Sequence, residues 1–245
     1  MTAPAPPLLE ATGVRKVYRS GAVEVEALKG LDLSVSAGEL VMVMGPSGNG
    51  KTTMLNCLSG LDDIDAGTVL VDGEDIHAMS DTRRTAHRAN RMGFVFQSFN
   101  LIPVLSAAEN VELPLLVTGA RAKDARRRAE AMLDRVGLAG RSRHRPPELS
   151  GGEQQRVAVA RALVSEPAIV WADEPTGNLD TETAAAVLGL LIEVHTAGQT
   201  LVVVTHDPAI GRSGQRLVRV SDGRVTYDGT PHGYDDALAV EAGAR

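Results

Sequence analysis

The pattern of apolar and polar positions divides the chain into a strand-rich start, a helical middle and an alternating final part. In residues 8–44, apolar and polar positions alternate in short runs separated by turn residues, and the segment ends on the unbroken apolar run LVMVM. This pattern predicts several strands, the last one buried. A helix is predicted from Gly50 to Ser59, directly after a glycine-rich turn, and TVLVDG predicts another short strand. From about Ser80 to Arg145 the pattern is helical and rich in arginine, which predicts a separate, mostly α-helical lobe.

Helices and strands are predicted to alternate in the remainder of the chain. This alternation favours a mainly parallel sheet covered on both faces. The segment RLVRVSDGRVTYDG predicts a hairpin that turns at Asp222–Gly223, and the residues after Tyr234 predict at most a frayed helix. The alternating elements are a helix over Ser150–Val164, a strand over Ala168–Ala172, a helix over Thr181–His195 with an apolar stripe, and a strand over Thr200–Val204.

Composition narrows the class of protein. A chain of 245 residues with 43% hydrophobic and 23% charged residues is typical of one compact domain or of a domain with an inserted lobe. Lys and Arg total 25 against 31 Asp and Glu, a net charge of −6, so no global basic field exists to hold nucleic acid. The basic stretch within residues 121–145 favours a solvated helical face over a polyanion site. No nucleic-acid partner is expected.

Cysteine content and apolar run length bear on location. The single cysteine, Cys57, excludes an internal disulfide framework and favours a reducing compartment. The first residues lack the pattern of a secretory signal, and the longest apolar runs are too short to span a bilayer. We therefore expect a cytoplasmic protein, which another chain would anchor if it works at a membrane.

A phosphate-binding loop is the clearest chemical signal. The run from Gly45 to Thr52 matches G-x-x-x-x-G-K-[ST] between a predicted buried strand and a helix. Converging backbone N–H groups at a helix N-terminus bind polyphosphate, and glycines let the backbone close around it. We expect Lys51 to meet the β and γ oxygens and Thr52 to hold Mg²⁺. The alternative is a glycine-rich turn that only caps a helix. The predicted loop residues are Gly45, Pro46, Ser47, Gly48, Asn49, Gly50, Lys51, Thr52 and Thr53.

Two carboxylates follow the predicted strand IVWA. Asp173 would hold Mg²⁺, and Glu174 would accept a proton from, or orient, the water that attacks the γ-phosphate. Such proton transfer contributes roughly 10²–10⁴-fold in rate. The alternative is an acidic helix N-terminus, where the helix dipole favours Asp and Glu.

The run LSGGEQQR predicts a helix with Ser150 as N-cap and Glu153 completing a capping box. A capped helix is the plain alternative, but consecutive glycines expose N–H groups suited to an arriving γ-phosphate. This run resembles the signature sequence of ATP-binding cassette (ABC) ATPases, and the resemblance covers roughly Leu8 to Gly229. It implies that four signature residues bind ATP: Ser150, Gly151, Gly152 and Glu153.

The resemblance also implies roles for isolated residues. Tyr18 lies where the family stacks an aromatic ring on adenine, with a buried strand tyrosine as the alternative. Gln97 is similar to the family's glutamine, which touches Mg²⁺ or the attacking water. Asp180 is similar to the aspartate that crosses the dimer interface, and it could equally cap the following helix. His206 lies where the family places a histidine against the γ-phosphate.

The implied fold is an α/β P-loop ATPase of the ABC type, with a mainly parallel core sheet, an N-terminal antiparallel β subdomain and an inserted α-helical lobe. A single ABC ATPase domain would span residues 8–230, with core segments 8–96 and 150–230 and a helical lobe over about 97–149. Residues 231–245 would form a tail. Trp171 departs from the family's usual aliphatic residue, which puts the local packing in question.

The implied function is an ATPase subunit that powers a membrane permease for export, lipoprotein extraction or efflux. Each motif occurs once, so two subunits would sandwich two ATP molecules in a homodimer. The runs VFQSFNLIPVLSAAENVELPL and ADEPTGNLD resemble ATPases that serve FtsX-like permeases of the lipoprotein-releasing, macrolide-exporting and cell-division types. The alternatives are a regulatory ATPase that acts through such a permease on cell-wall hydrolases, and a soluble ABC ATPase of repair or translation.

Overall fold

A computed structural model describes residues 6–21 and 23–234. The strands within these residues are, in chain order, β1 (Leu9–Ser20), β2 (Val23–Val35), β3 (Leu40–Met44), β4 (Ala66–Val71), β5 (Glu74–Asp75), β6 (Met92–Phe96), β7 (Ile169–Asp173), β8 (Thr200–Val204), β9 (Arg216–Ser221) and β10 (Arg224–Gly229).

The helices of the same residues are α1 (Lys51–Leu58), α2 (Asp81–Arg91), α3 (Ala107–Val117), α4 (Ala122–Arg135), α5 (Gly151–Leu163), α6 (Thr181–Thr196) and α7 (Pro208–Gly211). Two single 3₁₀ turns, Ala139–Arg141 and Pro146–Glu148, precede α5. None of the described helices is long and apolar enough to cross a membrane.

The chain divides into two compact units. One unit holds the described residues up to Ser80 and from Thr200 onward, and the other holds Asp81–Gln199. The first unit contains an antiparallel sheet in the order β2-β1-β4-β5. Leu9 of β1 is paired with Val35 on one side and Val71 on the other. This sheet is the N-terminal antiparallel β subdomain that the family resemblance implies.

The first unit also contains a group of parallel strands. Strand β3 pairs in parallel with both β8 and β9, and β10 returns antiparallel to β9. All residues of β3 and β8 are buried, as expected for the apolar runs LVMVM and TLVVV. The β9–β10 hairpin turns at Asp222 and Gly223, whose φ angles of 49° and 70° suit the turn chemistry of an Asp-Gly pair. Both the buried strands and this hairpin are confirmed.

The second unit combines two parallel strands with helices. Met92 of β6 is paired with Ile169 of β7. Helices α3, α4 and α5 share one apolar core, and α3 begins with a capping box between Ser106 and Glu109. The fully buried members of that core are Ala107, Ala108, Val111, Ala125, Ala129, Leu133, Val157 and Ala160.

Strand β6 is a departure from the helical pattern predicted for residues 80–145, which were expected to be mostly α-helical. Met92–Phe96 is too short to show the alternation of apolar and polar positions that identifies a strand, and it directly follows the arginine-rich helix α2. Its pairing with β7 determines its conformation. Helix α6 covers the predicted residues. Of its predicted apolar stripe, Val187 and Leu191 are buried and Ala184, Leu188 and Ile192 are half-buried. The predicted frayed helix after Tyr234 lies outside the described residues.

A matched pair of glycine substitutions tests the packing of the second unit. A Cβ atom at Gly93 would lie 2.2 Å from the carbonyl oxygen of Ala162, whereas one at Gly189 would meet nothing within 4 Å. We expect Gly93→Ala to lower the free energy of unfolding by about 1–3 kcal/mol through overpacking. Gly189→Ala, in an exposed helix interior, should raise it by about 0.5–1 kcal/mol. Urea unfolding measures both, and an unaffected Gly93→Ala variant would contradict this close approach.

Candidate active site

The loop between β3 and α1 requires glycine for steric reasons. Gly45 has φ 151°, and a Cβ atom there would lie 1.9 Å from the carbonyl oxygen of Val220. Gly50, at φ 93°, would place its Cβ 2.6 Å from the carbonyl oxygen of Ala27. Both glycines therefore let the loop backbone approach its neighbours, as the phosphate-loop interpretation requires.

Lys51 occupies the centre of this loop. Its Nζ donates to the carbonyl oxygens of Gly45, at 2.8 Å, and Pro46, at 3.0 Å, and the residue is only 7% exposed. Carbonyl oxygens do not neutralise an ammonium ion, so its charge is still available to an anion. A turn that merely capped α1 would not need a buried cation at this position.

The loop borders a cavity of about 520 Å³. This volume is within the range of sites for small molecules and cofactors. Glycine N–H groups, the Lys51 ammonium and the hydroxyls of Thr52 and Thr53 suit a phosphorylated ligand, and an aromatic ring on the same wall suits a base. The cavity is lined by Tyr18, Val25, Glu26, Ala27, Gly48, Asn49, Gly50, Lys51, Thr52, Thr53, Asp222 and Gly223.

Tyr18 is held in place by two neighbours that sequence reasoning missed. Its hydroxyl donates to Asp62 Oδ2 at 2.8 Å, and Lys16 donates to Asp62 Oδ1 at 2.7 Å. The Lys16 ammonium lies 5.1 Å from the centre of the Tyr18 ring. Tyr18 is 42% exposed, which excludes the buried-tyrosine alternative. Asp62 lies 44 residues further along the chain, so no local motif points to it.

Ionisation within this cluster follows from its contacts. Partial burial raises the pKa of the Tyr18 phenol, so the hydroxyl stays protonated and donates. Burial also opposes ionisation of Asp62, but hydrogen bonds from Lys16 and Tyr18 outweigh it and hold the pKa of that carboxyl below its ordinary value. The resulting charged pair fixes the ring at the cavity wall.

His206 follows β8 in the same unit and is exposed. Its two neighbours anchor it: the Thr205 amide donates to the carbonyl oxygen of Val43 at 3.0 Å, and Asp207 caps α7 through the Ala209 amide at 2.7 Å. The imidazole is therefore carried by backbone fixed on both sides.

The second unit holds the two predicted carboxylates. Asp173 is the last residue of β7, and Glu174 follows at φ 48°, an uncommon left-handed conformation for a residue with a side chain. The nearest following helix begins only at Thr181. The alternative of an acidic helix N-terminus is therefore wrong, and the strained position of Glu174 is typical of functional sites.

Gln97 is docked on the segment that precedes α6. Its side-chain amide donates to Asn178 Oδ1 at 3.2 Å, and Asn178 donates back to the carbonyl oxygen of Gln97 at 3.0 Å. A Cβ atom at Gly177 would lie 2.7 Å from Gln97 Nε2, so glycine is needed for this contact. Sequence reasoning identified the glutamine but not its asparagine partner.

Arg161 of α5 holds the segment after Gln97 and was also missed. Its guanidinium donates to the carbonyl oxygens of Phe99, at 2.9 Å, and Asn100, at 2.5 Å. Both acceptors have left-handed backbones, with φ 59° and 50°. Burial lowers the pKa of Arg161, yet an arginine stays charged at any ordinary pH. This cation links the helix of the signature run to the glutamine segment.

The signature run begins α5 as predicted. The Ser150 hydroxyl accepts from the Glu153 amide at 3.2 Å, and Glu153 accepts from the Ser150 amide at 2.8 Å and from Arg141 at 2.9 Å. A Cβ atom at Gly152 would lie 2.2 Å from Thr183 Cγ2. Helix packing therefore supplies a second reason for this glycine, besides N–H exposure.

Two remaining predictions concern Asp180 and Trp171. Asp180 caps α6, since its carboxylate accepts from the Thr183 amide at 3.0 Å and from the Thr183 hydroxyl at 2.7 Å. The capping role is thus confirmed. Trp171 is 1% exposed, so the strand accommodates the bulky ring, although its indole Nε1 has no hydrogen-bond partner among the described residues.

No three His, Cys, Asp or Glu side chains come together as a metal-binding cluster in the described part of the chain. A divalent ion would need oxygen donors of other kinds as well, which is the donor set that Mg²⁺ accepts.

The comparisons with known proteins agree with this geometry. The model of the ABC transporter family matches residues 28–177. A protein of Thermotoga maritima, named an uncharacterized ABC transporter ATP-binding protein, is 50% identical over 89% of this chain and 93% of its own length. The dimeric structure of the ATP-binding cassette MJ0796, in a post-hydrolysis state bound to ADP and Pi, is 41% identical with a TM-score of 0.84. It is matched over 91% of this chain and 98% of that chain.

The chain belongs to the ABC transporter family and has the ATP-binding cassette fold. Some relatives are much longer. The macrolide export ATP-binding/permease protein MacB of Nitrobacter winogradskyi is 42% identical over 92% of this chain, but only 35% of its own length is matched.

The Asn178 contact yields a prediction. Asn178→Ala removes both hydrogen bonds to Gln97, so local opening of residues 96–100 should become easier. We expect amide hydrogen exchange in that segment to accelerate about tenfold, as for a loss of roughly 1.4 kcal/mol of local stability. The control is Asn90→Ala, which removes an exposed asparagine that bonds only to Ala86 within α2. Equal exchange rates in the two variants would show that Asn178 does not hold this segment.

Proposed function

We propose that this chain is the ATP-binding and ATP-hydrolysing subunit of a membrane ABC permease complex that serves export, lipoprotein extraction or efflux. The observation that carries the proposal is the phosphate loop, which is closed by the close approaches of Gly45 and Gly50 and has the Lys51 ammonium at its centre.

The first unit supplies the groups that bind the nucleotide. Tyr18 stacks on the adenine, with Asp62 and Lys16 holding its ring. Loop N–H groups and Lys51 bind the phosphate oxygens, and His206 binds the γ-phosphate. Preorganised donors of this kind stabilise charge that moves onto oxygens during phosphoryl transfer.

The second unit supplies the groups that act on water. Glu174 orients the attacking water or accepts its proton. The Gln97 side-chain nitrogen donates to Asn178, and its amide oxygen would meet this water or Mg²⁺. The bond to Asn178 would therefore orient the glutamine for this role.

Mg²⁺ would be held by the Thr52 hydroxyl, the Gln97 amide oxygen and the Asp173 carboxylate. These are hard oxygen donors of the types that Mg²⁺ binds together with substrate phosphates. When bound, the ion neutralises charge on the β and γ oxygens.

The signature residues serve the nucleotide of a second copy. Ser150, Gly151 and Gly152 present a capped helix N-terminus, which attracts the γ-phosphate carried by the partner, and Asp180 lies at the same interface. Glu153 keeps the cap rigid through Arg141. Two copies would therefore enclose two ATP molecules, and hydrolysis would release them. A dimer of a related cassette is consistent with this arrangement.

The permease partner is of the FtsX-like type, as the sequence runs around Gln97 and Asp180 suggest, and the subunit would lie on the inner face of the cell membrane. A relative that is an ATP-binding and permease protein in a single chain favours a direct permease contact. A regulatory ATPase that transmits force through such a permease to cell-wall hydrolases uses the same site and is the second candidate.

The role of Glu174 can be tested by substitution. Glu174→Gln keeps the shape of the side chain but removes the proton acceptor, so the ATPase rate should fall by about two orders of magnitude. ATP should then hold the variant as a dimer in size-exclusion chromatography. Glu130→Gln, an exposed change on α4, is the control and should behave like the unmodified protein. A Glu174→Gln variant with near-normal turnover and no ATP-dependent dimer would refute this role.

The partner can be tested by purification of the tagged protein in mild detergent from its own cells. We expect an integral membrane protein with a large extracytoplasmic domain to copurify. Loss of efflux on deletion would support export, whereas a division defect with normal drug tolerance would support the regulatory candidate. Copurification of nucleic acid without any membrane protein would contradict both.

A further inference from the structure

The turn between β9 and β10 lies directly against the phosphate loop. The Asp222 amide donates to Asn49 Oδ1 at 2.8 Å, and the Gly223 amide donates to the Asn49 carbonyl oxygen at 3.2 Å. The Asn49 side chain in turn donates to the carbonyl oxygen of Ser47 at 3.2 Å. One asparagine therefore connects the inside of the loop to a turn more than 170 residues further along the chain.

The turn is itself fixed to β2. The Lys29 amide donates to the carbonyl oxygen of Gly223 at 2.9 Å, and the Lys29 ammonium is 2.5 Å from Asp222 Oδ1. A Cβ atom at Gly223 would lie 2.5 Å from the carbonyl oxygen of Ala27, the same oxygen that excludes a side chain at Gly50. Strand, loop and turn thus converge on one carbonyl group.

The Lys29–Asp222 ion pair stays ionised at neutral pH. The hydrogen bond from Lys29 holds the pKa of the Asp222 carboxyl below its ordinary value. Protonation would weaken the pair only as the pH falls through that lowered pKa, so the pair persists at neutral pH. The Lys29 side chain is 25% exposed and that of Asp222 is 78% exposed, so the pair adds only modestly to global stability.

A loop built from glycines has many conformations to lose when it binds a ligand. External contacts that restrict the free loop reduce this entropy loss and tighten binding. The turn is placed to do so, because it contacts Asn49 of the loop from outside the helix and strand that the loop connects. Asp222 and Gly223 also border the cavity itself.

We propose that the Ser221–Gly223 turn is a positioning element for the phosphate loop: through Asn49 it holds the loop in its phosphate-binding conformation, and the Lys29–Asp222 pair fixes the turn. This inference rests on the proposed ATP-binding function. It assigns positioning roles to Lys29 and Asp222, two residues outside every nucleotide-binding motif found in the sequence.

The test compares three variants by ADP titration and by steady-state ATPase kinetics. Asn49→Ala should weaken ADP binding about tenfold, as expected for lost hydrogen bonds. Lys29→Met and Asp222→Asn should each weaken ADP binding about threefold. The double variant should bind ADP as tightly as the more affected single variant, because both substitutions remove the same ion pair. KM for ATP should rise with these values, while kcat at saturating ATP for Lys29→Met and Asp222→Asn stays within about twofold.

The control is Asp72→Asn in the β4–β5 turn. That turn is also an Asp-Gly pair with positive φ angles, but it does not border the cavity. If the variants lower the melting temperature without moving KM or ADP affinity, the turn is merely structural and the inference is wrong. If Asp222→Asn weakens binding and Lys29→Met does not, Asp222 contacts the nucleotide directly, which also overturns it. If the unmodified protein and Lys51→Ala both fail to bind ADP, the proposed function fails first.

Discussion

The close approach of backbone to backbone around the phosphate loop is the constraint on which the nucleotide site depends. Gly45 lies against the carbonyl group of Val220, and Gly50 and Gly223 lie against that of Ala27. No side chain fits at these three positions, so only glycine allows the loop backbone to come this close to its neighbours. The position of the Lys51 ammonium and the shape of the cavity both follow from that closure.

The candidate site residues of the second unit are held in a different way. There, side chains make hydrogen bonds to backbone groups at the starts of helices and in the segment after β6. Ser150 and Asp180 cap α5 and α6, and Asn178 and Arg161 hold the glutamine segment. Each of these bonds is replaceable by water or by a ligand at small net free energy. Such contacts suit parts of a protein that change partners during a reaction cycle, whereas the steric closure of the phosphate loop suits a part that stays fixed.

The sequence was sufficient to predict those features that neighbouring residues along the chain determine. Buried parallel strands, the Asp222–Gly223 turn, the capped start of α5 and the glycine loop were all predictable from local pattern, and the family comparisons confirm the fold. Strand β6 was missed because five residues show no period, and its identity is decided by pairing with β7. Asp62, Asn178 and Arg161 were missed for a related reason. Each contacts a residue 44 to 81 positions away in the sequence. Such contacts depend on the tertiary fold, so no local sequence pattern predicts them.

In the proposed function, one copy of this protein binds ATP but hydrolyses it only when a second copy supplies the signature residues. Specific ATPase activity over a wide range of protein concentration, with the oligomeric state followed in parallel, tests this dependence. Activity per molecule should rise with concentration and level off as dimers saturate. Constant activity per molecule, down to dilutions at which only monomer is present, would contradict it.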